Sequence, residues 1–572
     1  MNFIPSRIKQ SVTLLFTIGM TALIVASALG DGIFSYHALP LFVITACALI
    51  IAVVLPGIKQ LSLSAIDAGI VAFAIFLFFN SAYHDQLLNP TTYSWASIFI
   101  AYLAFRLTWP LAGQQPFIEL TLLLAWVIIG IVVLYQTIGP GSELIRWPFG
   151  SSAICAYFMV LCLVATLQIN RSQISVLPLV AFNTTKVLVV CLLLGCLVLS
   201  GSRISLLVSV FVLACKYLWT HAHSVPNGVI RYGRIAVVVV MVIAPLFWYI
   251  NKDHSTAGRM YIYKVSASIL ADHWTTGIGA ASFATRYAEY KATNFESGNF
   301  TSEQVWLDDA ITVPYNEFLF AALAWGIGGV VAVVALVIGA IVLVKKDRTG
   351  NRGMDTALYL ITFGILSLTG YPFHALFFGV IATSVVARMA SLAPQWTVQG
   401  RMGFRLIMLA GITSAVVFSG DRIYAIWLWQ SRCTQEPSLE QYQKYAGKLS
   451  DYPVYNYQHG VLLFESGYYD QAIKKLRQAH HFYENDKVLL YIGQCYQNLG
   501  DTRQAENQYK RHMATYPNRL RAAYHLFSMY KDLGDTTKAR GYGEVLLQRP
   551  VKVPSEWTKQ VRRQAEQFLK ST

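Results

Sequence analysis

From Ser11 to Ile426 the chain is a succession of apolar stretches separated by short polar breaks. A helix needs about 20 apolar residues to cross roughly 30 Å of hydrocarbon. The stretches meet that requirement about thirteen times, beginning near Ser11, Leu39, Ile66, Tyr93, Phe117, Phe149, Ala181, Ile204, Ile235, Glu317, Ala357, Ala375 and Phe404. A hydrophobic content of 55% with only 13% charged residues excludes an ordinary soluble protein of this length. The expected fold is all-α, a polytopic membrane helix bundle that ends near residue 427.

Short loops rich in Lys and Arg stay in the cytoplasm. Four groups qualify: Arg7 with Lys9, Lys216 with Arg231 and Arg234, Lys345 to Arg352, and Arg401 with Arg405. Thirteen spans with a cytoplasmic N-terminus put all four inside and place the C-terminal tail outside. The loop 251–314, with five Lys/Arg against seven Asp/Glu, then also faces outward. Six of the eight cysteines lie in or beside apolar runs, where a thiol is usually a small hydrophobe. No metal-ligand spacing and no cofactor motif are found. The net charge of +15 is spread over the inner loops and the tail and forms no basic, aromatic-interleaved stripe, which excludes nucleic-acid binding.

After Trp429 polar, tyrosine-rich sequence takes over. Residues 428–454 read as a linker, and 455–572 carry a repeat. Gly467, Gly500 and Gly534 stand 33 and 34 residues apart, each opening a similar phrase (GYYDQA, GDTRQA, GDTTKA), and Ala472, Ala505 and Ala539 keep the period. This resembles the tetratricopeptide repeat, with Gly493, Tyr496, Tyr509 and Pro517 completing the middle copy and Phe527 and Glu484 departing from the pattern. A soluble α-solenoid of helix pairs is expected, with a concave surface for a protein partner.

Three clusters carry candidate chemistry. In LSGSRISLL, Arg203 sits between two apolar runs, as either a headgroup anchor or a phosphate clamp. Gly258 to Phe283 predicts an amphipathic helix led by Arg259 and stopped by the Gly277-Ile278-Gly279 turn, with Arg286 shortly after. In VPYNEFLFAALAWGIGG the chain re-enters the membrane through Pro314, Tyr315, Asn316 and Glu317, and a Gly-rich weak point follows Trp325. His374 lies in the outer turn GYPFH, and His84 and His254 are further outward histidines.

In order and topology, Ser202-Arg203, the Arg-led loop helix with its G-x-G turn, and Asn316-x-x-Leu319 before an aromatic-Gly-Ile-x-Gly run resemble the O-antigen ligase superfamily. That group comprises lipopolysaccharide O-antigen ligases, Wzy-type polymerases and bacterial protein O-oligosaccharyltransferases, and the resemblance covers about Phe149 to Leu392. It implies an enzyme of the bacterial cytoplasmic membrane with a periplasmic tail. Such an enzyme takes a glycan from an undecaprenyl-diphosphate carrier and passes it, without a metal, to an acceptor hydroxyl on lipid A core or protein. Arginines matching Arg203 and Arg259, with Arg286, would bind the diphosphate. Many ligases carry histidine where this chain has Tyr315, and a phenol with an ordinary pKa of about 10 is a poor base near neutral pH. The base is therefore sought among Tyr315, Asn316, Glu317 and His374.

A Wzy-type polymerase is the alternative within this chemistry. A transporter or flippase of the same lipid-linked saccharide is the alternative outside it. Transporters keep ionisable groups near the midplane, whereas Asp67, Arg106, Glu119 and Lys186 are expected near the cytoplasmic ends of their spans.

Overall fold

The computed structural model describes residues 17–27, 38–55, 60–112, 117–138, 149, 151–170, 178–220, 253–298, 301–307, 310–346, 351–399, 402–433, 437–552 and 554–571. The expected ninth span, Ile235–Ile250, lies outside these residues, as do Arg7, Lys9, Arg231, Arg234, Arg348 and Arg401 of the basic loops.

The first part of the chain is helical. It contains α1 (Thr17–Ser27), α2 (Leu39–Val54), α3 (Ala65–Tyr83), α4 (Pro90–Ala112), α5 (Phe117–Ile138), α6 (Ser152–Gln168), α7 (Leu179–Leu199) and α8 (Arg203–Thr220). Then come α9 (Asp253–His273), α10 (Phe283–Glu296), α11 (Ser302–Leu307), α12 (Glu317–Lys346), α13 (Asn351–Thr369), α14 (Leu376–Leu392) and α15 (Met402–Leu428). Among the described residues five helices are long and apolar enough to cross a membrane: Ala65–Tyr83, Leu179–Leu199, Arg203–Thr220, Glu317–Val342 and Arg405–Ser431. Six shorter apolar helices accompany them. The chain is a multi-pass membrane protein.

Rows of exposed apolar side chains on α3, α7 and α12, such as Phe79, Val180, Val187, Val331 and Val342, are what lipid-facing surfaces require. The bundle core is drawn from α4, α6, α13 and α14, where Tyr102, Phe158, Leu161, Tyr359, Phe377 and Val385 are almost fully enclosed.

Ion pairs mark one end of this bundle. Asp67 caps α3 through Ser64 and receives Arg106 Nε at 2.9 Å, Glu119 receives Arg388 at 3.0 Å, and Lys216 meets Asp355 at 2.8 Å. Lys186 Nζ donates to the carbonyls of Leu167 and Ile169. A short antiparallel ribbon, absent from the all-α expectation, closes the same end: Gln60–Ser64 pairs with Gln395–Gln399, Leu61 opposite Val398 and Leu63 opposite Trp396. Arg106 Nη2 reaches the carbonyl of Ser62 at 2.6 Å and ties the ribbon to the bundle.

The opposite end carries the tail. Helices α16 (Leu439–Leu449), α17 (Pro453–Glu465), α18 (Tyr469–His480), α19 (Asp486–Asn498), α20 (Thr502–Thr515), α21 (Arg521–Asp532), α22 (Thr536–Gln548) and α23 (Glu556–Ser571) follow one another as antiparallel neighbours. Gly467, Gly500 and Gly534 each turn between paired helices with φ of +83°, +80° and +74°, the left-handed region that glycine enters without steric cost. The three periodic alanines are fully buried, and Gly493 lies so close to the Tyr509 ring that a Cβ would stand 2.5 Å from it. These helix pairs are consistent with the tetratricopeptide pattern.

Residues 428–454, expected as a linker, contain a π-helical turn (Trp429–Cys433) and α16. Trp429, Tyr442, Tyr445, Leu449 and Tyr452 are buried in one cluster with Ala38, Leu41, Ile44 and Tyr93 of the bundle. The physical reason is amphipathic aromatic content, which gains more from burial than from solvent contact. Asp451 binds both Arg422 and Tyr93, which anchors the joint.

Candidate functional site

The loop between α9 and α10 is held by a break in α12. Gly326 has φ +56° and ψ −139°, which interrupts the helix and leaves the carbonyls of Leu323 and Ala324 without their intrahelical donors. The amides of Ile278 and Gly279 take those carbonyls, each at 2.9 Å, and Ile327 N donates back to Thr275 O at 3.3 Å. A Cβ on Gly277 (φ +72°) would stand 2.4 Å from Ala324 O, and one on Gly326 2.4 Å from Thr275 O. The G-x-G turn and the Gly-rich weak point thus meet as two halves of one joint. Gln86, in the turn between α3 and α4, braces it by bonding Ser282 Oγ (2.7 Å), Ile278 O (3.4 Å) and Ala281 N (3.0 Å).

Docked in this way, α9 brings Arg259 to the mouth of the bundle. Its Nη1 donates to Thr369 O, the last residue of α13, at 3.3 Å, and its guanidinium lies 5.8 Å from the centre of the Tyr315 ring. Tyr315 adopts a left-handed backbone (φ +53°) and meets Tyr371 edge-on at 5.3 Å. Asn316 caps α12: its Oδ1 accepts the amides of Phe318 and Leu319, both at 3.0 Å, and its Nδ2 donates to Leu368 O at 3.0 Å.

Glu317 is buried at 6% exposure. Its Oε1 accepts Phe373 N at 2.6 Å and faces His374 Nδ1 at 3.4 Å. A carboxylate can only accept, so this contact puts a proton on Nδ1 and turns Nε2 away from Glu317. The imidazole stands edge-on to Phe320 at 4.6 Å and remains a quarter exposed. Tyr157 of α6 packs on Gly370, where a Cβ would lie 2.1 Å from its hydroxyl, and falls within electrostatic reach of Arg259, Tyr371 and Glu317. Sequence reasoning passed over Tyr157 and Tyr371, because a tyrosine near an apolar run carries no signal of its own.

Arg203 opens α8 after the Gly201 turn (φ +67°), with Ser202 and Ser205 hydroxyls paired beneath it at 2.8 Å. Its height follows from helix geometry. Lys216 of α8 binds Asp355 of α13, so Arg203 stands about 20 Å above that pair and Thr369 about 21 Å above it, at 1.5 Å per residue. Arg203 and the Arg259 anchor point therefore share one level at the tail end.

Arg286 of α10 pairs with Glu289 at 3.1 Å, and Glu289 also binds Arg511 of the tail at 3.3 Å. His84 contacts Thr276 O, and His254 lies in the first turn of α9. Among the described residues no group of three or more His, Cys, Asp or Glu is placed to hold a metal.

Residues 188–334 match the O-antigen ligase family. This O-antigen ligase domain contains Arg203, Arg259, Tyr315, Asn316 and Glu317, and it stops short of His374. No curated protein matches the chain. The family is one of enzymes, and the tail lies wholly outside the matched segment.

Proposed function

We propose that this protein transfers a glycan from an undecaprenyl-diphosphate carrier to an acceptor hydroxyl at the tail end of the bundle, on the periplasmic face of a bacterial inner membrane. The observation that carries this reading is Arg259 seated on Thr369 O and the Tyr315 ring, two residues before the Glu317 that faces His374, within a segment that matches O-antigen ligases up to residue 334.

The acceptor oxygen attacks the anomeric carbon, and the bond from that carbon to the diphosphate oxygen breaks. His374 Nε2 takes the acceptor proton, while Glu317 holds the ring and offsets the imidazolium charge. Arg203 and Arg259 bind the departing lipid diphosphate, whose developing charge a fixed guanidinium stabilises. Tyr315 holds Arg259 in place and Asn316 caps the helix that carries Glu317, so both act through other residues. Arg286, engaged with Glu289, is left out of the diphosphate site.

The ionisable groups Asp67, Arg106, Glu119, Arg388 and Lys186 are satisfied at the far end of the bundle, which favours transfer over transport. The repeat tail recruits the acceptor, as protein or lipid A core.

The test uses proteoliposomes loaded with lipid-linked glycan and offered lipid A core, protein, or a second glycan as acceptor. Arg203→Ala and Arg259→Ala should abolish transfer without loss of membrane insertion. Glu317→Gln removes a charge-assisted hydrogen bond worth about 1.5–3 kcal/mol, so kcat should fall roughly 10- to 150-fold. Combined with His374→Ala it should cost no more than His374→Ala alone. Full activity in both arginine variants would overturn the diphosphate site, and transfer only between glycans would make the enzyme a polymerase.

A further inference from the structure

We propose that the cavity between the α3–α4 turn and the first tail helix pair is a second carbohydrate site, one that holds a neutral sugar unit of a glycan beside the outer loop. It takes its ligand class from the transfer reading above but shares none of its residues. The cavity encloses about 500 Å³, a volume in the usual range of small-molecule sites.

Its walls are rich in acceptors. Asn456 of α17 is 2% exposed; its Nδ2 donates to Ser450 O at 2.6 Å, while its Oδ1 is buried with no hydrogen-bond partner among the described residues. A buried amide oxygen left unpaired costs about 1–3 kcal/mol; as placed it is shut off from solvent, so a ligand that supplies a donor favours a turn of this side chain toward the cavity that Asn456 lines. Asp451, beside it, has Oδ2 occupied by Arg422 and Tyr93, which fixes the plane of the carboxylate and leaves Oδ1. Asp85 contributes a second carboxylate from a left-handed turn residue (φ +55°).

Asp85, the second oxygen of Asp451 and the amide oxygen of Asn456 ask for donors. Arg477, steadied by Tyr496 at 2.8 Å, asks for an acceptor on the same ligand. Phe482 and Leu88 offer apolar faces. A ring bearing neighbouring hydroxyls, each both donor and acceptor, with C–H faces between them, meets all three demands. The walls touch the outer loop: Thr285 of α10 donates to His481 O at 3.3 Å, and Gln86 next to Asp85 braces the G-x-G turn.

The experiment uses the full chain in detergent micelles. The probe is the oligosaccharide released by mild acid from the cell's own lipid-diphosphate-linked glycan, with binding followed by ligand-observed NMR and calorimetry. Saturable binding is expected, weakened roughly tenfold in Asn456→Ala, as loss of one hydrogen bond implies. It should weaken severalfold in Asp85→Asn, a substitution whose side chain tolerates the left-handed turn. Asp85→Asn should melt with the parent, whereas Asn456→Ala also loses the Nδ2 bond to Ser450 O and should melt lower, so its binding is read at a temperature where both proteins are fully folded. Arg203→Ala should bind the probe normally, so failure of the transfer reading and failure of this one are separable. Absence of saturable binding, binding unaltered in both variants, or calcium alone taking the cavity while the oligosaccharide does not, would each overturn the proposal.

Discussion

The tail should lose stability sharply in mild acid, because it buries histidines in neutral form. His459 of α17 is 4% exposed, and burial, aided by the nearby Lys475 charge, lowers its pKa from 6.5 to about 4. His512 of α20 is fully buried, and burial with the Arg549 and Arg519 charges lowers its pKa to about 3. A folded-state pKa depressed below the unfolded value gives stability that is present above pH 6.5 and lost as pH falls below it, since the unfolded chain takes up protons that the folded one refuses. At 1.36 kcal/mol per pH unit, each histidine withdraws about 2 kcal/mol between pH 7 and pH 5, so the pair withdraws roughly 4 kcal/mol. His480 and His525, also lowered to about 4 chiefly by burial, act in the same direction, and by the same arithmetic each withdraws about 2 kcal/mol more.

Glu484 opposes them. Burial raises its carboxyl to about 7 despite the Tyr516 hydroxyl and Lys291, so its contribution is present below pH 4.5 and lost as pH rises through 7. The measurement therefore belongs in a Glu484→Gln background. Hydrogen exchange of tail peptides in the full-length protein, corrected for intrinsic rates at each pH, should show protection falling by at least about 4 kcal/mol from pH 7 to pH 5. Adding His459→Gln and His512→Gln should remove about 4 kcal/mol of that fall. A flat profile before those changes, or an unaltered slope after them, would refute the assignment of acid lability to these two rings.

Gly277→Ala should uncouple the outer loop from the bundle, since its φ of +72° alone costs about 1–3 kcal/mol in a non-glycine residue and the new Cβ meets backbone at 2.4 Å. Loss of exchange protection in α9 together with loss of transfer, with the bundle still melting normally, is the expected pattern; a protected, active variant would show the joint to be dispensable. Asp67→Asn should lower stability by about 3–5 kcal/mol by leaving the buried Arg106 unpaired, while Asp67→Leu with Arg106→Met should recover much of it. Thermal melting in detergent reads both, and a double variant no better than the single would place the effect elsewhere.

Membrane residence, helical class and the glycine-turned helix pairs of the tail were legible from the sequence, because each depends on local pattern. A 20-residue apolar run has no alternative to hydrocarbon, and a glycine every 33 or 34 residues marks where paired helices reverse. The Gly277–Gly279 and Trp325–Gly329 signals were also visible, but only as separate weak points. Tertiary structure decided that they complete each other, because the carbonyls freed by one are the acceptors needed by the amides of the other. It likewise joined Glu317 to His374, 57 residues away, since α12 and α14 begin at the same end of the bundle. Arg286 shows the converse. Its pair with Glu289, three residues on in the same helix, is a local pattern, whereas the second contact of Glu289, to Arg511 of the tail, was decided by which element packs alongside, and no local pattern records that.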